Sequence, residues 1–225
     1  LLLRSTNSDA FFCRLRDVVY SSLAEGENLL YQDALCIQVY INGQYWGHYN
    51  LREKINKYMI AQFEGVTDEE DIDMIDVISR TGTPRFTSNG SGEDWVALAD
   101  FCKKNDLNDP ENLQYVLDRL DVDSLFTHAA YEIILGNTDF TNVRLYRVPG
   151  GKWKYLLFDV EACWRGLDKT PIEYYIKPLS AKINGFRHEP LNALLLVPDY
   201  KDKFLTRMAE LMETVFRWDN VEAHF

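Results

Sequence analysis

The 225-residue chain carries 35 Asp and Glu against 24 Lys and Arg, a formal net charge of −11 at pH 7, and 46% of its residues are apolar. That apolar share is enough for a sizeable core in one domain spanning residues 1–225. The acidic balance repels polyanions and excludes a nucleic-acid groove or an anionic membrane surface, so any phosphate must be met locally, by a metal ion or a few basic side chains.

After a short strand-like start, Ser8 or Asp9 is placed to cap a helix running to about Leu23, with Phe12, Leu15, Val18 and Val19 on one face. The period then changes. "ALCIQVYINGQYWGHYNLREK" reads as two β-rich runs joined by Asn42-Gly43, the pair best suited to the positive φ angles of a type I′ turn. A short helix with Ile55, Met59 and Phe63 inward follows, then a strand over 71–79. The Gly, Ser, Thr and Pro content of 80–94 reads as a connecting loop, in which Asn89-Gly90-Ser91 matches a glycosylation acceptor. Three helices come next: Trp95 to about Lys104; Pro110 to Leu120, with Asp109 as N-cap; and Ser124 to Leu135. "NVRLYRV" and "KWKYLLFD", joined by Pro149-Gly150-Gly151, predict a second hairpin, and two helices around "LNALLLV" and "DYKDKFLTRMAELMETVF" close the chain. No stretch reaches the roughly 20 apolar residues of a membrane-spanning helix, and there is no signal-peptide pattern. The four cysteines lack C-x-x-C spacing and the four histidines lack ligand spacing, which argues against zinc and for buried thiols over a disulfide framework.

The chemistry concentrates in "ILGNTDFTNVRLYR", residues 134–147, where an apolar run ends in Asn137, Asp139 and Asn142. Taken alone, this is the stop signal of a helix, because Asn and Asp tolerate left-handed backbone and bond their own main chain. Asp159 is harder to dismiss: it follows the apolar run "YLLF", and an unpaired buried carboxylate costs several kcal/mol. A hairpin with strands over 143–148 and 152–158 brings its two ends together and sets Asp159 beside Asn142 and Asp139. Converging oxygen ligands suit Mg²⁺, which takes one or two protein carboxylates and completes its shell with water and phosphate oxygens. An Asp that orients a hydroxyl, an Asn on the metal, a hairpin and then a metal-binding Asp is also the order that kinases use. Glu161 shares a face with Asp159 if the strand continues, as a further ligand or a surface charge.

"YINGQYWGHYNLREKIN", "GNTDFTNVRLYR" and "KWKYLLFDVEACW" resemble, in order, the hairpin, loop and terminal-strand motifs of the CotH family of spore-coat, kinase-like proteins, and "LNALLLVPDYKDKF" resembles that family's C-terminal helices. The resemblance implies an α+β, atypical protein-kinase-like fold with two β-hairpins and a helical half. It also implies binding of ATP with Mg²⁺, transfer of phosphate to Ser or Thr of a protein substrate, and a secreted or cell-surface location. By the same resemblance Asp139 is the catalytic carboxylate, Asp159 and Asn142 are metal ligands, and Glu53 is a nucleotide-site residue. The family's upstream lysine-bearing segment has no counterpart before Leu1, so the resemblance implies a domain truncated at its N-terminus.

Glu53 ends an alternating strand in which Tyr49 and Leu51 share a side, so it is expected to point inward, as a partner in an ion pair or a nucleotide contact. Lys54 or Arg52 is a candidate substitute for the family's phosphate-binding lysine, with a solvated strand end as the stronger expectation for both. Arg144, close to Asn142, is a nucleotide-site candidate with a surface salt bridge as its alternative. Tyr45, Trp46 and Tyr49 are expected to pack within their sheet rather than form a platform for sugars or peptides. Against the kinase reading stand a non-catalytic surface or coat protein that uses the fold as a binding scaffold, and a metal-assisted hydrolase.

Overall fold

The computed structural model describes residues 1–5, 9, 11–78, 84–137, 142–163 and 189–225. Its first sheet grows from the Asn42-Gly43 turn, where φ is +51° and +80°, as a type I′ turn requires. That turn joins β2 (Ala34–Ile41) to β3 (Gln44–Arg52), and β1 (Leu2–Arg4) pairs antiparallel on the other side of β3. The register sets Arg4 opposite Asn50 and Leu2 opposite Arg52. Side chains alternate across a strand, so Asn50 and Arg52 share the buried face of β3.

A second antiparallel sheet has the order β5-β4-β6-β7, with β4 at Asp73–Ile78, β5 at Pro84–Asn89, β6 at Arg144–Arg147 and β7 at Lys154–Leu156. The strand β5 lies within the segment expected to be a plain loop. Its polar composition hides it, and its pairing with β4 shifts register at several points, as suits an irregular edge strand. The Asn89 side chain is half-buried and its amide is bonded to the main chain. Its Nδ2 donates to the carbonyls of Ile72 (2.6 Å) and Glu70 (3.1 Å), tying β5 to the chain entering β4. Gly90 follows at φ +61°, and a Cβ there would meet the Asp73 carboxylate and lie 3.0 Å from Asp73 Cα. Gly90→Ala is therefore expected to cost about 1–3 kcal/mol, read as a lower denaturant midpoint at unchanged slope.

Helices complete the fold, while the first sheet stays largely exposed, with no buried residue in β2. The helices are α1 (Arg16–Ser22), α2 (Lys57–Glu64), α3 (Glu93–Lys104), α4 (Pro110–Leu117), α5 (Val122–Ile134), α6 (Glu189–Leu194), α7 (Pro198–Glu213) and α8 (Trp218–Ala223). Asp109 caps α4 through the amides of Glu111 and Asn112, and Pro110 opens the helix, as expected from the sequence. By contrast, α1 starts only at Arg16, because Arg14 takes φ +64°; Asp9 still serves the helix start by accepting from Arg16 N at 3.0 Å. In α2 the buried face centres on Ile60 and Ala61, while Phe63, expected inside, is 56% exposed. One turn beyond Ile60 lies Glu64, which accepts from Tyr146 Oη at 2.7 Å and Lys154 Nζ at 2.9 Å, and this fixes the helix rotation. The short α8, in a segment the sequence reading left out, adds a third C-terminal helix to the expected pair.

The main core is mostly aliphatic, with interlocking aromatic rings. Trp95 of α3 stands edge-on to Trp153 and Tyr155 at 5.9 and 6.1 Å between centroids, while Phe204 of α7 meets Phe126 of α5 at 5.3 Å. A smaller cluster under α2 joins Leu30, Ile60, Ile72, Met74, Tyr146 and Leu156. Each fully buried aromatic or aliphatic side chain contributes about 1.5–3 kcal/mol. All four cysteines are thiols; Cys102 and Cys163 are buried, but Cys13 and Cys36 are exposed. Tyr45 pairs edge-on with Tyr40 across the first hairpin, whereas Trp46 is 63% exposed and does not pack as expected.

Candidate functional site

Helix α5 carries the chain into the site. Asp121 caps it by accepting from Ser124 N at 3.0 Å, and its residues from Ser124 to Ile133 are buried. It stops at Gly136, with φ +61°, where Asn137 N donates to Glu132 O at 3.0 Å. Asn137 is buried at this turn, in keeping with a turn-shaping role. Asp139 lies outside the described residues.

Asn142 and Asp159 stand at the two open ends of the β6–β7 hairpin. The register pairs Arg144 with Leu156, so the residues just before β6 and just after β7 adjoin, and Asn142 Nδ2 donates to Asp159 Oδ2 at 2.8 Å. Asp159 is left-handed, at φ +60° and ψ +50°. A non-glycine residue held there stores backbone strain of about 1–3 kcal/mol, a feature concentrated at functional sites. This turn ends the extended chain and starts a 3₁₀ turn over Val160–Ala162, so Glu161 does not continue a strand with Asp159.

Around Asp159 is a group of charges drawn from distant parts of the chain. Arg4 Nη1 is 3.3 Å from Asp17 Oδ2, and its Nη2 is 3.3 Å from Asp159 Oδ1 and 3.1 Å from Glu161 Oε2. Asp17, buried on α1, also accepts from Val160 N at 2.8 Å and pairs with Arg52 Nη1. Arg52 Nη2 donates to Asn50 Oδ1 at 2.9 Å. Thus the inward position at the end of β3 belongs to Arg52, which is 3% exposed, and not to Glu53, which is exposed. The expectation of a solvated Arg52 is overturned with it: the inward phase of β3 follows Asn50 and Arg52, because the counter-ion Asp17 makes that face affordable to a cation. Arg144 lies over the Phe158 ring at 3.7 Å and reaches Asp76 at 3.8 Å.

Burial raises the pKa of Asp159, and Asp17 raises it further; Arg4 opposes them, and Glu161 adds to the rise. Burial lowers the pKa of Arg144, against the pull of Asp76 and Asp159. Both groups sit where their charged forms are disfavoured, which is the electrostatic setting of many functional sites.

Among the described residues no group of three or more His, Cys, Asp or Glu side chains is disposed to hold a metal ion. Asp159 offers Mg²⁺ a hard carboxylate oxygen on a side chain that is 18% exposed, whereas Asn142 turns its Nδ2 to Asp159 Oδ2 and would offer its carbonyl oxygen only after the amide rotates. Sequence reading reached this pair but missed Arg4 and Asp17, and it placed Arg52 at a solvated strand end. The available signal was weak, a lone acid among apolar residues in "RDVVYSS" and an arginine in phase with Asn50.

Helices, antiparallel sheets and a hairpin whose ends bring an Asn to an Asp make an α+β domain consistent with the kinase-like class. The family described as CotH kinase protein matches residues 1–225, the whole chain, and the chain belongs to that family. No curated protein matches the chain. Family membership suggests a kinase-like function, and no helix among the described residues is long and apolar enough to cross a membrane.

Proposed function

We propose that the chain transfers the γ-phosphoryl group of ATP to a Ser or Thr hydroxyl of a protein at a cell or spore surface. The observation that supports this reading best is the Asn142–Asp159 contact at 2.8 Å across the mouth of the hairpin, in a chain of the CotH kinase family. In this reading Asp159 and Asn142 hold Mg²⁺, and Asp139 accepts or orients the proton of the attacking hydroxyl. The ion, when bound, would offset phosphate charge that an acidic protein otherwise repels. Arg144 and Glu53 belong to the nucleotide side, Arg144 through its field at Asp159 and Glu53 as a solvent-facing carboxylate beside Arg52.

A second reading, a non-catalytic scaffold, draws on the pairing of Asp159 and Glu161 with Arg4, which gives both carboxylates a structural role. Calorimetric titration of ATP, with and without Mg²⁺, separates the two. The kinase reading expects Mg²⁺-dependent heat, together with transfer of labelled phosphate to protein that Asp139→Asn reduces at least ~100-fold while nucleotide binding persists. Absence of both heat and transfer would leave the scaffold.

A further inference from the structure

The nucleotide reading gives no role to Arg4, the partly exposed cation of the site. Arg4 is placed by β1, which pairs with β3, and its guanidinium is shared among Asp17, Asp159 and Glu161. Its contacts measure 3.1 to 3.3 Å, longer than the ~2.7–2.9 Å of a locked charge-assisted hydrogen bond. This is the geometry of a cation divided between acceptors.

The three carboxylates differ in access. The side chains of Asp17 and Glu161 are 5% and 7% exposed, while those of Asp159 and Arg4 are 18% and 19% exposed. The Nη1 end of Arg4 is therefore anchored on a buried acid, and the Nη2 end lies at the open edge. Among the described residues, Arg52 is buried against Asp17, Asn50 and Gln32, Arg144 is stacked on Phe158, and Arg16 donates to Cys163 O. Arg4 meets three carboxylates, and a divalent cation on Asp159 would repel the guanidinium now bonded to that carboxylate.

We propose that Arg4 is the internal counter-ion of Asp159, and that it gives up this carboxylate when a divalent cation binds and turns its Nη2 end to the phosphoryl oxygens of the nucleotide. This rests on the Mg²⁺–ATP reading and adds to it a phosphate-binding residue and a built-in competitor for the metal. Held at Asp17, the guanidinium needs only to swing about its anchored end. A planar fork of donors at the edge of an acidic cluster suits phosphate, which a protein of this net charge must meet locally.

The consequence is a pair of effects of opposite sign. Without Arg4, a divalent cation alone meets no competitor, whereas the nucleotide loses a contact. The test uses the full chain, with Mn²⁺ binding followed by electron paramagnetic resonance and Mg²⁺–ATP binding by calorimetry, for the wild type, Arg4→Met and Arg4→Lys. Arg4→Met is expected to bind Mn²⁺ alone several-fold more tightly and Mg²⁺–ATP about tenfold more weakly, and Arg4→Lys is expected to fall between it and the wild type in both. Thermal melts of all three without ligand establish that each is folded. Equal or uniformly weakened binding of both ligands by folded Arg4→Met, with the wild type binding Mg²⁺–ATP, would overturn the Arg4 proposal and leave the nucleotide reading standing. A wild type that binds no nucleotide would overturn both.

Discussion

Replacing Asp17 by alanine is expected to remove about 3–5 kcal/mol of folding free energy, the cost of breaking a buried ion pair from one side. Asp17 and Arg52 are 4% and 3% exposed, so neither charge is answered by bulk water. Without Asp17 the Arg52 guanidinium keeps only the amide oxygens of Asn50 and Gln32, and its Nε already lacks a hydrogen-bond partner among the described residues. Val160 N loses its acceptor at the same time, so the turn that carries Asp159 loosens. Asp17→Asn keeps acceptor geometry without the charge and should cost less. Arg52→Met in the Asp17→Ala background should recover part of the loss, because an apolar pair of similar volume replaces a stranded cation. Urea denaturation of the two single variants and the double variant measures the coupling. Coupling near zero, with Asp17→Ala within about 1 kcal/mol of the wild type, would show that the pair does not hold β1, β3 and α1 to the site.

The parts of this fold that are legible in sequence are those whose chemistry is local. Asn42-Gly43 has few alternatives to a type I′ turn, and Asp109-Pro110 marks a helix start because the side-chain acceptor and the missing amide serve the same terminus. Asn142 and Asp159 were reachable by the same logic, since a hairpin alone brings its two ends together. The Arg4–Asp17–Arg52 group was not, because its members lie on three elements that meet only in the tertiary structure. Glu53 and Arg52 illustrate the difficulty. Both are charged neighbours at a strand end, alternation permits either phase, and the choice falls to Arg52 because a buried carboxylate faces it from α1. Strand β5 escaped for a related reason. Its own residues carry no strand pattern, and the pairing is supplied by β4 and the Asn89 amide.

Asp159→Asn is expected to raise thermal stability while abolishing Mg²⁺-dependent nucleotide binding, and the two effects together separate an active site from a structural ion pair. The folded-state pKa of Asp159 is raised, first by burial and then by Asp17, with Arg4 failing to compensate. A carboxyl raised in this way favours folding while it is protonated. That contribution is present below its unfolded value of 3.8 and is lost as pH rises through the folded value. At neutral pH the wild type therefore carries an ionised group that the fold disfavours, and an amide of the same shape relieves it. Asn142 can turn its carbonyl toward the new amide and keep the contact. The gain should be about 0.5–2 kcal/mol at pH 7 and should shrink as pH falls toward the unfolded carboxyl range. In the same variant Mg²⁺–ATP should no longer raise the melting temperature, and phosphate transfer should fall at least ~100-fold. Melting curves from pH 4 to 8, with and without Mg²⁺–ATP, measure both effects. A variant less stable than the wild type throughout that range would mean that Asp159 is kept for its bond to Arg4. A variant more stable than the wild type and blind to the nucleotide would mean that the carboxylate is retained, at a cost in stability, for the ligand it holds.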